Sequence, residues 1–472
     1  DGFSSMQYLN TEEQVTRLYT NTTNSKNTNG GLSGNIDYQK TYKKKDKSLT
    51  FSYKLDNNPS KTRYTTQVNG VTNYPTYNQL SRNVAVGREQ TFQADYYNPV
   101  TDKHQVETGL KFILRQNTST SETYRNDTLD LSYDNNLDYN QYILGAYAGY
   151  VFKWKKLSTK TGIRLERTWN DGISKTSTGN TDFTNRLFNL VPYITFSYMP
   201  KPGRNIKVSY TQRLSRPGIW YLNPYVNNTD SMNIRYGNPS LEAEIAHSFE
   251  LGYTFFTPKF NFSATAHTSF INNSIESIFS VQPNGSTVTT YKNIGKNQTY
   301  GLSMYFSYRP TNKISIYFNG SSSYIKLSAN NGYSITNDGF NYYGYLGGRW
   351  TVWKDMSLSG SLGMFSTGVS LQSKSFLYSY TSFGVSQYLL KKKIMLSLYA
   401  TDPFWYHKSY NFKSSDITFS QTSKYTYRAQ NFRFSLTFNF GKMDTKVKKA
   451  RRGINNDDLK SKGESQAGTG QQ

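Results

Sequence analysis

The 472-residue chain contains no cysteine. That excludes disulfides, thiolate metal sites and a cysteine nucleophile. Histidine is scarce too: only His104, His247, His267 and His407 are present. The chain also lacks any run approaching the roughly 18–20 consecutive apolar residues of a membrane-spanning helix, so a helical integral membrane protein is excluded. Acidic residues are in the minority, 31 against 55 Lys plus Arg, for a formal charge of +24. No basic n-region or apolar h-region leads into Asp1-Gly2, so any targeting sequence is expected to lie outside this chain.

What the chain does have is aromatic residues. Its 41 Tyr and 28 Phe make up most of a 16% aromatic content, a strand-former's composition and a poor one for helices. Length alone would suggest about three soluble domains of about 150 residues, yet strand-rich barrels run long as single units. Many segments place apolar side chains at every second position. Phe249, Leu251, Tyr253 and Phe255 alternate with Glu250, Gly252 and Thr254, and Phe432, Phe434, Leu436, Phe438 and Phe440 alternate with Arg433, Ser435, Thr437 and Asn439. One face of such strands meets an apolar phase and the other meets water.

The connections alternate in length. Short turns are expected at Lys43 to Lys47, Asn98 to Lys103, Lys153 to Lys156, Pro200 to Arg204, Thr257 to Lys259, Pro310 to Lys313, Lys354 to Asp355 and Lys391 to Lys393. Between them lie long polar stretches, Asn57 to Arg88, Asn117 to Asn140, Asn170 to Asn185, Ser215 to Ala243, Asn272 to Lys296 and Thr401 to Tyr425. Short turns on one rim and long loops on the other describe an all-β fold, a transmembrane antiparallel β-barrel of the outer membrane, with the short turns periplasmic. About 17 strands are expected here, against about 22 for a complete even-stranded barrel. By strand parity the chain should hold the C-terminal majority of a barrel. The expected division is an irregular segment 1–32 offering a loop or partial strand, the barrel 33–441, and a basic disordered periplasmic tail 442–472.

Trp154 and Trp353, with Tyr150, Tyr198, Tyr308 and Tyr388, fall at or just before the short turns, where a ring sits at headgroup level. On the opposite phase lie Asp95, Glu107, Lys111, Arg115, Lys160, Arg164, Glu166, Lys207, Arg213 and Glu250. Facing lipid, each would cost up to about 2–4 kcal/mol near the midplane, so they are assigned to a wet or plugged lumen. Lys111, Arg115, Arg164, Glu166, Lys207, Arg213 and Glu250 are the candidate plug-facing set, with an interior ion-pair lattice as their simplest role.

Several functions fall away. The basic residues are spread over turns, lumen and tail, with no basic face interleaved with aromatics, so no nucleic-acid partner is expected. No HExxH, GxSxG, P-loop or GxGxxG setting is present. His247 falls on the lipid phase and His267 on the inward phase of the next strand, so they do not converge. A lone inward His267 is the remaining seat for pair chemistry. The chain is not expected to be an enzyme, and no catalytic, cofactor-binding or metal residue is assigned.

One stretch is recognisable: Tyr210-Thr-Gln-Arg213-Leu-Ser-Arg216-Pro217, then Leu222-Asn223-Pro224-Tyr225, Asp230 and Tyr236-Gly237-Asn238-Pro239-Ser-Leu241-Glu242. Together with Ala400-Thr-Asp402-Pro403-Phe404 and the ending Phe438-Asn-Phe440-Gly441, it resembles the Bacteroidetes-type outer-membrane β-barrel family related to TonB-dependent receptors. The resemblance implies a barrel with an N-terminal plug that uses TonB to import a large or scarce ligand. Plug, TonB-contacting segment and first strands have no counterpart in this chain. The motif residues Arg216, Pro217, Asn223, Pro224, Asp230, Gly237, Asn238 and Pro239 are expected to shape an outer loop.

Two functions follow: an importer whose long loops capture ligand, or a non-transporting barrel subunit of an outer-membrane protein complex. Expected partners are outer-membrane lipid and lipopolysaccharide, TonB through a missing N-terminal region, and other outer-membrane or surface lipoprotein subunits.

Overall fold

The computed structural model describes residues 2–440, apart from residues 10–11, 13, 178, 225, 227–231, 283–284, 330–334, 367, 375–376 and 416–419, together with residues 454, 456 and 458–460. These residues form one sheet of 22 strands, antiparallel except for the short parallel pairings of Asn233–Arg235 and Leu459–Lys460, and a separate hairpin, His407–Ser415 with Ser420–Arg428. Among the described residues no helix is long and apolar enough to cross a membrane. The crossing elements are strands.

Register explains why the alternation in the sequence makes a membrane surface. Strand Arg204–Pro217 pairs with Glu244–Phe256 so that Tyr210 faces Phe249, Val208 faces Leu251 and Ile206 faces Tyr253. Apolar side chains therefore pack across strands on one face, in the way that stabilises sheets. That face is bare: Leu251 is 55% and Phe434 68% exposed. A continuous apolar band on the outside of a sheet is stable only against lipid. Trp154, Trp353, Tyr150, Tyr198 and Tyr308 are all exposed on it.

All eight expected short turns are present and join strands at one rim. Lys155 and Lys354, each in a two-residue turn, take positive φ values of 49° and 36°, the backbone twist that a tight hairpin demands. The other rim departs from expectation. Of the polar stretches, 57–88 is largely strand, belonging to Ser48–Thr72 and Tyr77–Pro99, of 25 and 23 residues. A tilted strand crosses the hydrocarbon in about 9–11 residues, so these hairpins continue well beyond it. There the outer face meets water and carries Lys61, Arg63, Thr65 and Gln67 in place of apolar side chains, so the apolar alternation fades and the sequence reads as loop although the ladder continues. Toward the C-terminal edge the sheet shortens to Ile394–Thr401 and Asn431–Phe438, eight residues each.

Within segment 1–32 the described residues form strands Gly2–Leu9 and Val15–Asn29. Val15–Asn29 and Leu32–Thr41 lie end to end along Ser48–Thr72. Among the described residues the sheet does not close on itself. Among the described residues Leu32–Thr41 pairs only with Ser48–Thr72, and Asn431–Phe438 only with Ile394–Thr401.

Candidate functional site

The interior is filled where the recognisable motif leaves the wall. Strand Arg204–Pro217 ends on a proline, which cannot donate to a further ladder bond, and the chain turns into the short helix Ile219–Leu222. Tyr221, Leu222 and Leu241 then pack with Tyr139 and Ile275, which come from two separate wall strands. Further along, Met232 packs against Tyr19, Val68 and Tyr77. The described residues of the loop expected to lie outside thus turn inward and touch wall strands on both sides of Arg204–Pro217.

Backbone bonds hold that loop. The Gly237 amide donates to the Asn223 carbonyl at 2.8 Å and the Asn238 amide to the Tyr221 carbonyl at 2.6 Å. A Cβ on Gly237 would meet the Asn223 and Tyr221 carbonyl oxygens at 2.4 and 2.7 Å, so only glycine allows this approach. Asn238 accepts from the Ser240 amide at 2.9 Å and donates to the Tyr291 carbonyl at 2.9 Å. Asn223, Gly237 and Asn238 therefore hold this part of the chain together, and Pro224 and Pro239 are half-buried within it. Asp230 and Tyr225 lie outside the described residues.

Arg216 does more than shape a loop. It is 2% exposed, and its Nη2 meets Glu166 Oε2 at 2.5 Å and Thr168 Oγ1 at 3.0 Å. Its Nη1 donates to Asp458 Oδ2 at 2.6 Å. Arg115 reaches the same carboxylate at 2.6 and 2.9 Å while bonding Glu89 at 2.5 Å and Gln141 at 2.9 Å. Glu89 and Gln141 are its direct register partners on the two flanking strands. Arg164 pairs with Glu166. Burial favours the neutral form of Asp458, but the guanidiniums of Arg115 and Arg216 outweigh it and hold this carboxyl well below the usual carboxylate range.

Asp458 belongs to the segment read from sequence as a disordered periplasmic tail. Its described residues 454, 456 and 458–460 lie inside the sheet, where Arg216-Pro217 pairs in parallel with Leu459-Lys460. The remainder, residues 441–453, 455, 457 and 461–472, lies outside the described residues. The Arg216 amide donates to the Asp458 carbonyl at 2.7 Å. Lys460 Nζ reaches Glu244 Oε1 at 2.6 Å and the Ile275 carbonyl at 3.1 Å. Asn456 donates to Glu89 at 2.6 Å and Thr91 at 2.8 Å.

Of the seven candidate lumen residues, Arg115, Arg164 and Glu166 converge here. Lys111 lies on the same strand and face as Arg115 but nearer the short-turn rim, lining a hollow of about 310 Å³ with Gln93, Glu107, Tyr147, Arg164 and Tyr193. Lys207 and Glu250 form a looser pair of their own at 3.8 Å. Arg213 is exposed and stands apart from the network. His267 meets Ser323 at 3.3 Å, and His247 meets Tyr210 at 3.0 Å on the lipid phase. Glu89 and Glu244 were missed, although each is in phase with a chosen residue, Glu89 with Asp95 and Glu244 with Glu250. For Asn456, Asp458 and Lys460 no strand pattern offered a signal.

This architecture defines a membrane-spanning antiparallel β-sheet with a lipid-facing outer surface and a charged, occupied interior. The sequence pattern of the outer membrane protein beta-barrel family matches residues 40–439, and the chain belongs to that family, a component of the Gram-negative outer membrane. No match was found among curated protein sequences. Among solved structures, the ferric yersiniabactin uptake receptor FyuA of Yersinia pestis aligns with a TM-score of 0.56 and 10% identity over 93% of this chain and 74% of its own. The copper transporter OprC aligns at 0.57 and 10% over 93% and 75%. The ferric-catecholate import receptor Fiu of E. coli K12 aligns at 0.56 and 13% over 90% and 65%. At such identities the likeness is one of fold.

Proposed function

We propose that the chain is the barrel of a TonB-dependent receptor-like protein that takes up a ligand across the outer membrane. The observation that carries this reading is a wide sheet whose interior charges hold a separate chain segment through side-chain bonds. An interior segment held by ion pairs that can be broken suits gated passage better than a permanently open pore. Fold likeness to receptors for ferric yersiniabactin and ferric catecholate, and to a copper transporter, makes chelated metal the first ligand class to try. Coupling would come from TonB, through a region N-terminal to this barrel.

The test is accumulation of radioiron, offered as citrate and as catecholate chelates, by a Gram-negative host stripped of its own iron receptors. The full-length protein should confer accumulation that a protonophore abolishes. With the protein verified at the surface, no accumulation of either chelate would count against metal uptake. Stable co-purification with an outer-membrane partner alongside that result would favour a complex subunit.

A further inference from the structure

In a strand, residues two apart face the same way, and Asn456, Asp458 and Lys460 follow that spacing with three different partners. Asn456 donates its amide to Glu89 and Thr91. Asp458 meets the paired guanidiniums of Arg115 and Arg216. Lys460 enters a recess formed by Glu244, which is wholly buried, and the Ile275 carbonyl, with its ammonium 5.8 Å from the Tyr221 ring centre. Backbone pairing at Arg216-Pro217 fixes the register, the mode by which strand addition recognises peptides.

Charge points the same way. Around Asp458 the wall carries Arg115, Arg164 and Arg216 against Glu89 and Glu166, one cation in surplus. Around Lys460 it carries Glu244, and Glu276 joined to it through Ser274, with a surplus of acid. A segment bearing one carboxylate and, two residues later, one ammonium offsets the excess charge at each place. Buried unpaired charge is costly, so the wall by itself is complementary to such a segment.

We propose that the wall residues Glu89, Arg115, Arg216 and Glu244 form a binding site for an extended peptide of pattern Asn-x-Asp-x-Lys, and that residues 456–460 are its tethered, displaceable occupant. The proposal stands on this geometry and does not depend on what the protein transports.

The test uses the full-length protein in detergent, with heat-modifiable migration as the check on folding. A fluorescent synthetic peptide of residues 454–460 is titrated by anisotropy. Wild type, whose site is filled, should bind it at least tenfold more weakly than the Asp458→Asn chain, whose own segment is loosened. A peptide carrying Asn at the 458 position should lose binding to either chain. Trypsin cleavage after Lys460 should be slow in wild type and in Asp458→Glu, and at least tenfold faster in Asp458→Asn. Equal peptide binding by wild type and Asp458→Asn, binding of the Asn peptide as strong as the Asp peptide, or unchanged cleavage at Lys460 would each overturn the proposal.

Discussion

Arg216 and Asp458 stand 242 positions apart in sequence and are bonded twice, guanidinium to carboxylate at 2.6 Å and backbone amide to backbone carbonyl at 2.7 Å. One residue thus couples three parts of the molecule: the wall through Glu166, the inward loop that begins at Pro217, and the C-terminal segment. Removing one partner of a buried charged network costs about 3–5 kcal/mol. Arg216→Gln should therefore lower stability by about that much, measured by urea unfolding in vesicles. A change under about 1 kcal/mol would show that the network is not intact.

The same pair sets a pH response. Its partners lower the Asp458 pKa in the docked state, so the stabilisation is complete above the ordinary carboxylate value of about 3.9. It is lost as pH falls through the lower docked value. The cysteine-free chain allows a single nitroxide at Leu459→Cys, whose spectrum should remain immobilised from pH 8 to 5 and sharpen only below about pH 4. Release near pH 6 would point to control by a different group.

Gly237→Ala places a methyl group against two carbonyl oxygens. Overpacking of this kind costs about 1–3 kcal/mol, and here the cost falls on the loop. Protease susceptibility between residues 217 and 244 should rise while the wall strands stay protected. An unchanged cleavage pattern would contradict the loop geometry.

Leu251→Arg puts a cation on the lipid face and should destabilise the protein by about 2–4 kcal/mol near the midplane. Thr211→Arg, on the lumen phase beside the hollow, should cost much less. Urea titrations of both variants in vesicles make the comparison, and equal costs would remove the distinction between the two faces.

Orientation is testable with single cysteines and a membrane-impermeant maleimide. Ser409→Cys, on the hairpin at the long-strand rim, should react on intact cells. Lys201→Cys, in a short turn, should react only after permeabilisation. The opposite pattern would invert the barrel.

The lipid-crossing parts of the strands were legible in the sequence because one face must be apolar: Phe249 and Leu251, like Phe434 and Leu436, announce themselves. Residues 57–72 were not, since beyond the lipid the outer face is polar and the inner face, with Thr66 and Val68, is covered by a distant loop, which leaves no apolar alternation. Glu89 and Glu244 carried the right phase and were passed over for neighbours on the same rows. Arg216 was singled out by its Arg-Pro motif, but its role was hidden because Asp458, its carboxylate partner, lies in a polar tail with no periodicity. Pairings over 242 and 343 positions leave no local trace.

The described C-terminal residues occupy the interior because Asp458 is held there between Arg115 and Arg216. Conductance of the full-length protein in planar bilayers tests it most directly. Wild type and Asp458→Glu should conduct little, and Asp458→Asn should conduct several-fold more at the same voltage. Identical conductance from all three proteins would contradict the account.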